Sequence, residues 1–152
     1  MTSPGPALFT HEGRQAFLAR ATGNSGFTRF MGTELTRFEP GVVEISLPLR
    51  TDLTQHHGHA HGAVLGYLAD TVCAWTAATV VGDVVTAEYK INFLAPARGE
   101  TLWARGEVLR PGRRQVVVRA EVYARSGGED TLVAAALATV AAVGERQDSG
   151  KP

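Results

Sequence analysis

The chain predicts an α+β domain built on an antiparallel sheet, and three observations carry that expectation. Gln55 to Val81 is a turn dense in His and Gly that runs directly into a long apolar helical stretch. Apolar residues alternate at Val43, Ile45, Leu47 and Leu49, and again at Val116, Val118, Ala120, Val122 and Ala124, the pattern of strands with one buried face. Turn clusters at Gly82-Asp83, Ala95–Gly99, Pro111-Gly112-Arg113 and Ser126–Asp130 cut the second half into strand-length pieces.

In chain order, residues 1–9 read as a loose tail with two prolines and a glycine. Thr10 can cap a helix reaching about Ala21, with Phe17 and Leu18 on its buried side, and Gly23-Asn24-Ser25-Gly26 ends it. Strands are expected over 33–38 and 42–49, joined at Glu39-Pro40-Gly41; Pro48 marks an edge or a strand end. After the long helix, further strands are expected over 84–94, 101–109, 115–125 and 131–143, and residues 144–152 form a second loose tail. There is no internal repeat and no linker, so the chain reads as one domain, 1–152, with its core at about 30–143.

The long helix carries a single carboxylate, Asp70. Residues three, four and seven positions away share its face: Ala63, Gly66, Tyr67, Cys73, Ala74 and Ala77. Most are small, so a backbone or a ligand can approach Asp70 closely. Val64, Leu68 and Val72 form the neighbouring, bulky face, which reads as the core face. Asp70 is then either a capping or ion-paired carboxylate or a general base in a cleft. Gly62 and Ala63 open the helix, where free N–H groups and the positive dipole end favour developing negative charge. A base and an oxyanion site on one helix are two parts of a hydrolase.

The composition is ordinary for a soluble globular protein, with 44% hydrophobic and 20% charged residues. Fifteen basic and fifteen acidic residues cancel, which argues against a nucleic-acid or anionic-membrane partner. Cys73 is the one cysteine, so an internal disulfide is excluded and a reducing cytoplasm is the expected compartment. Neither a secretory segment nor an uninterrupted apolar span of bilayer length is read from the sequence, and the helix after Gly62 is expected to be a core or interface helix.

His57-Gly58, His61-Gly62-Ala63-Val64, Leu68-Ala69-Asp70 and Thr86-Ala87-Glu88-Tyr89-Lys90-Ile91-Asn92-Phe93-Leu94-Ala95-Pro96-Ala97 occur in this order, followed by Arg110-Pro111-Gly112-Arg113-Arg114. In these motifs the chain resembles the phenylacetate-pathway (PaaI-type) thioesterases of the hotdog fold, over roughly Phe30 to Val143. The resemblance implies a sheet wrapped around the long central helix and an acyl-CoA thioesterase. Asp70 would be its general base or nucleophile, and the Gly62 amide would polarise the thioester carbonyl. Gln55 stands where many members of the family carry Asn; its amide would hold water and carbonyl from one methylene further out, or bond local backbone as a turn residue. Thr86 would orient water. Regular alternation places it beside Glu88, Lys90 and Asn92, although a Thr here also satisfies β-propensity alone.

His61 would fix the loop through hydrogen bonds, and the alternative of a zinc site among His56, His57, His59 and His61 lacks Cys or a carboxylate ligand. Arg113 and Arg114 would contact the nucleotide phosphates of the substrate, or simply be solvated. No cofactor is implied, since coenzyme A is part of the substrate. The resemblance further implies a homodimer or homotetramer with sites at the subunit interface. The rival readings are a non-catalytic acyl-CoA sensor on the same fold, a hotdog enoyl-CoA hydratase, and a His-rich metal module.

Overall fold

A computed structural model of the chain describes residues 4–144. A short 3-10 helix, Pro6–Phe9, leads into helix α1 (His11–Gly23) and the six-residue helix α2 (Gly26–Met31). Strands β1 (Glu34–Glu39) and β2 (Val42–Pro48) follow, then helix α3 (Gly62–Val81) and strands β3 (Val84–Phe93), β4 (Thr101–Pro111), β5 (Gln115–Ser126) and β6 (Glu129–Ala142). The six strands form one antiparallel sheet in the order β1-β2-β4-β5-β6-β3, and α3 lies across its concave side against β2 to β6. This is the hotdog arrangement: a sheet wrapped around one central helix.

The alternating patterns bury the faces they should. Val43, Ile45 and Leu47 of β2 and Val116, Val118, Ala120, Val122 and Ala124 of β5 all point at α3, whose Val64, Leu68 and Val72 meet them. Each buried Val or Leu contributes about 1.5–3 kcal/mol, so these positions supply most of the force that docks sheet on helix. The helix is drawn close at Gly106 of β4, where a Cβ would stand 2.2 Å from Thr76 Oγ1 and 3.0 Å from the Val72 carbonyl oxygen. Only glycine fits that crossing. Near the C-terminal end of α3, Thr79 Oγ1 accepts the Gly41 N–H at 2.8 Å and ties the β1–β2 turn to the helix.

Several expectations need correction. Residues 6–9 are not a loose tail: they coil into the 3-10 helix, and Phe9 reaches the Phe38 ring with centroids 5.7 Å apart. Phe17 of α1 is also buried, so the core starts well before residue 30. Of the other expected tail, 144–152, residues 145–152 lie outside the described residues. Gly23-Asn24-Ser25-Gly26 ends α1 but also starts α2, because Ser25 Oγ accepts the Thr28 N–H at 3.2 Å. Six residues are too few for a periodic signal. Finally, α3 is long and apolar enough to cross a bilayer by length and composition, contrary to the expectation; its apolarity is accounted for by its place in the core.

The two sheet edges differ. β1 is short, bulged between Leu35 and Arg37, and laced by Arg37 to Glu39 at 2.8 Å. β3 spans ten residues and leaves Val85, Tyr89 and Phe93 exposed. An edge of ten residues that exposes apolar side chains is a template for pairing with another strand.

Candidate active site

The loop before α3 is folded by its own backbone. Gln55 N–H donates to the His59 carbonyl at 2.8 Å and Gly58 N–H to the Gln55 carbonyl at 2.8 Å, with Gly58 at φ 76°, a left-handed conformation that favours glycine. The Gln55 side-chain oxygen accepts the His57 N–H. That is the local turn role; the remaining amide group belongs to a residue lining the cleft described next. His59 Nε2 accepts from Arg98 Nε at 2.6 Å, and the His56 and His57 rings lie 4.0 Å apart. Desolvation first, and then the charges of Arg98 and His57, hold the His59 imidazole below its ordinary range.

His61 is the N-cap of α3. Its Nδ1 accepts the Ala63 N–H at 3.0 Å, and its carbonyl accepts the Val64 N–H at 2.9 Å. The His61 N–H is itself held by the Leu53 carbonyl at 2.9 Å. The cap therefore satisfies the amides on either side and leaves that of Gly62, which among the described residues has no acceptor. Gly62 lines a cleft of about 400 Å³ together with Gln55, His59, Leu65 and Phe93. A Cβ on Gly62 would stand 3.3 Å from the Phe93 ring, so a side chain here would crowd the cleft wall.

Two helical turns further on, Asp70 is half-buried, and its Oδ1 is buried with no hydrogen-bond partner among the described residues. Among the described residues it neither caps a loop nor pairs with an Arg. Cys73, on the same face, is buried; desolvation, then the Asp70 charge, push its thiol up to about 12. The cysteine stays protonated and is no nucleophile. Beyond Asp70, Ala74, Trp75 and Ala78 line one wall of a second groove, about 930 Å³, closed on the other side by Leu8, Phe17 and Ala21.

Thr86 needs a correction. β3 carries a bulge at Ala87: Thr86 pairs with Val140 and Glu88 with the next residue, Thr139. The extra residue reverses the alternation, so Thr86 shares the helix-facing side with Tyr89, Ile91 and Phe93, while Glu88, Lys90 and Asn92 face outward. Glu88 accepts from Thr139 Oγ1 there at 2.7 Å. Periodicity alone misses this, since a bulge at alanine has no sequence signature; it also misses Tyr89 and Phe93 as residues over α3. Arg113 and Arg114 sit in the β4–β5 hairpin, where the Arg114 carbonyl holds Ala142 N–H and β6 pairs with Val84. That is the C-terminal end of α3, about 30 Å of helix from Gly62, so within one chain they do not meet the cleft.

A family profile for the thioesterase superfamily matches residues 57–131, the span holding Gly62, Asp70 and the bulged strand. An inferred esterase of Saccharolobus solfataricus is 34% identical over 112 residues, 72% of this chain and 73% of that protein. The chain belongs to the thioesterase superfamily. It is a thioester hydrolase. A thioesterase family protein of Silicibacter pomeroyi is similar in structure, with a TM-score of 0.79 at 33% identity over 84% of this chain and 96% of that one. The Escherichia coli PaaI protein from the phenylacetic acid degradation operon shares the fold, with a TM-score of 0.78 at 22% identity over 88% and 95% of the two chains.

Proposed function

We propose that this thioesterase hydrolyses acyl-CoA esters, with Asp70 as general base and the Gly62 N–H as oxyanion donor. The observation that carries the reading is the spacing of two unpaired groups on one helix. Eight residues of α-helix separate Gly62 from Asp70, a rise of about 12 Å. The Asp70 side chain leans back toward the N-terminus, which shortens the gap. A carbonyl hydrogen-bonded at one end, a water at near-attack distance and a hydrogen bond from that water at the other end together span about 10 Å. The gap fits the reaction.

In the chemical step Asp70 takes a proton from water as the water oxygen bonds to the carbonyl carbon. The carbonyl electron pair moves onto the oxygen held by Gly62 N–H. Return of that pair breaks the C–S bond, and the thiolate recovers the proton from Asp70. General-base catalysis contributes about 10²–10⁴-fold and an oxyanion donor about 10²–10³-fold, and neither needs a cofactor. Gln55, through the free part of its amide, and Thr86 position the water. The acyl group runs from Asp70 along Ala74 and Ala78 into the second groove.

The long, partly apolar edge of β3 supports a homodimer in which β3 pairs antiparallel with its copy, continuing the sheet. That pairing brings the hairpin end of one subunit to the Gly62 end of the other. Arg113 and Arg114 of the partner subunit then lie about three strand spacings, roughly 15 Å, from β3, where they meet the phosphates at the far end of a bound CoA. The same copy presents its own Thr86 at this end. Two such dimers make the tetramer that the resemblance implies. The single, unpaired Cys73 supports a reducing cytoplasm as the compartment.

The test is a panel of acyl-CoA esters of graded acyl size, beside the same acyl groups on truncated pantetheine thiols, assayed for free thiol. Turnover should favour the CoA esters. Equal turnover of full and truncated thioesters would overturn the CoA assignment, and binding of CoA esters without turnover would make the chain an acyl-CoA sensor.

A further inference from the structure

We propose that the Tyr89 hydroxyl is a further catalytic group of this site, holding the attacking water against Asp70; the proposal rests on the reading of Asp70 as base. Tyr89 follows the bulge in β3 and pairs with the buried Ala138, so its ring points at α3. Its hydroxyl reaches the helix at Gly66, where a Cβ would stand 3.0 Å from it. Gly66 and Asp70 are four residues apart on one face, and the Asp70 side chain leans over the turn that Gly66 occupies. The hydroxyl therefore stands about midway between the Gly62 amide and the Asp70 carboxylate.

Both polar groups on this turn lack partners. Among the described residues the Tyr89 hydroxyl makes no hydrogen bond, and Asp70 Oδ1 makes none either, nor do the two bond each other. A buried acceptor without a donor needs an explanation, and a water shared with the Tyr89 hydroxyl supplies it for Asp70 Oδ1. Tyr89 is 39% exposed, so that space is reachable. Packing alone does not explain the oxygen. Phe93, four residues along the same strand face, covers Gly62 with a plain ring; the hydroxyl occurs only over the turn next to Asp70.

With one water hydrogen on Asp70, the Tyr89 oxygen accepts the second, and the water lone pair is left facing the carbonyl carbon. The proton and electron balance of the hydrolysis is unchanged; Tyr89 gives up and gains nothing.

The experiment is steady-state kinetics on the best acyl-CoA ester for Tyr89→Phe, Gly66→Ala and the double variant, beside Asp70→Asn and with melting temperatures for all. Tyr89→Phe should lower kcat about tenfold, the worth of one hydrogen bond, with KM and melting temperature near wild type. Gly66→Ala, whose methyl displaces the hydroxyl, should lower kcat similarly, and the double variant should be no slower than Tyr89→Phe. Wild-type kcat in Tyr89→Phe while Asp70→Asn is inactive would overturn the role of Tyr89 alone. An active Asp70→Asn would remove the base on which it rests. If Tyr89→Phe melts early, additive losses in the Gly66→Ala double variant would equally reject the shared-water geometry.

Discussion

Replacing Asp70 by Asn separates chemistry from folding more sharply than any other change. The side chain keeps its shape and loses its charge and its basicity. Loss of a general base costs about two to four decades in kcat, or roughly 2.7–5.5 kcal/mol of transition-state stabilisation. The fold should respond in the opposite direction. Asp70 Oδ1 is buried without a donor among the described residues. A buried, unsatisfied acceptor costs about 1–3 kcal/mol, more when charged, so removing the charge should return on the order of 1 kcal/mol. For a chain of this size that is a rise of about 2–4 °C in melting temperature. The assay is thiol release from the best acyl-CoA ester, beside thermal melting and the affinity for a non-hydrolysable analogue. Near-wild-type kcat in the folded variant would refute Asp70 as the catalyst. A fall in melting temperature with loss of binding would make Asp70 structural.

Three further outcomes are expected. Arg113→Ala with Arg114→Ala should raise KM for CoA esters and leave their pantetheine analogues unaffected, because only the former carry the nucleotide phosphates; equal effects on both would remove the phosphate assignment. Ala78→Trp fills the second groove one turn beyond Ala74, so kcat/KM should fall for long or bulky acyl groups and hold for acetyl-CoA, and an unchanged chain-length profile would place the acyl group elsewhere. His59 is held below its ordinary range, so the folded chain binds its proton less readily than the unfolded chain does. The stability tied to the neutral His59 ring, set first by desolvation and then by Arg98, is complete above about pH 6.5 and declines as pH falls through that value toward the folded pKa. Proton NMR should show His59 titrating below about 6.5, and Arg98→Ala should bring the midpoint back up; a midpoint at or above 6.5 in the intact protein would contradict the Arg98–His59 contact.

The parts of this molecule that sequence makes legible are those where one periodicity runs undisturbed. β5 shows five alternating apolar residues, and all five are buried; α3 shows a bulky stripe at Val64, Leu68 and Val72, and it is the core face. Capping chemistry is equally local, so the Thr10 cap is readable from residue type, whereas the His61 cap of α3 is not. What periodicity cannot carry is a reset of its own phase. The single extra residue at Ala87 moves Thr86 onto the helix side and, with it, brings Tyr89 and Phe93 over Gly66 and Gly62. Without the bulge, Tyr89 would share the opposite side from Thr86; with it, both face α3.

Long-range placement is the other blind spot. Arg113 and Arg114 follow the catalytic motifs in sequence, yet the β4–β5 hairpin carries them to the far end of α3. The dimer proposed above would resolve this, because a strand that pairs antiparallel with its copy inverts the sheet end for end. In such a dimer the arginines that are too distant in one chain would lie on the correct side in the other. The bulge and the open edge belong to the same strand, so β3 aims Tyr89 at its own helix and, in the proposed dimer, would offer the partner's hairpin to its own cleft. On that account a substitution that straightens β3, such as deletion of Ala87, should damage dimerisation and turnover together, whereas Tyr89→Phe should damage turnover alone.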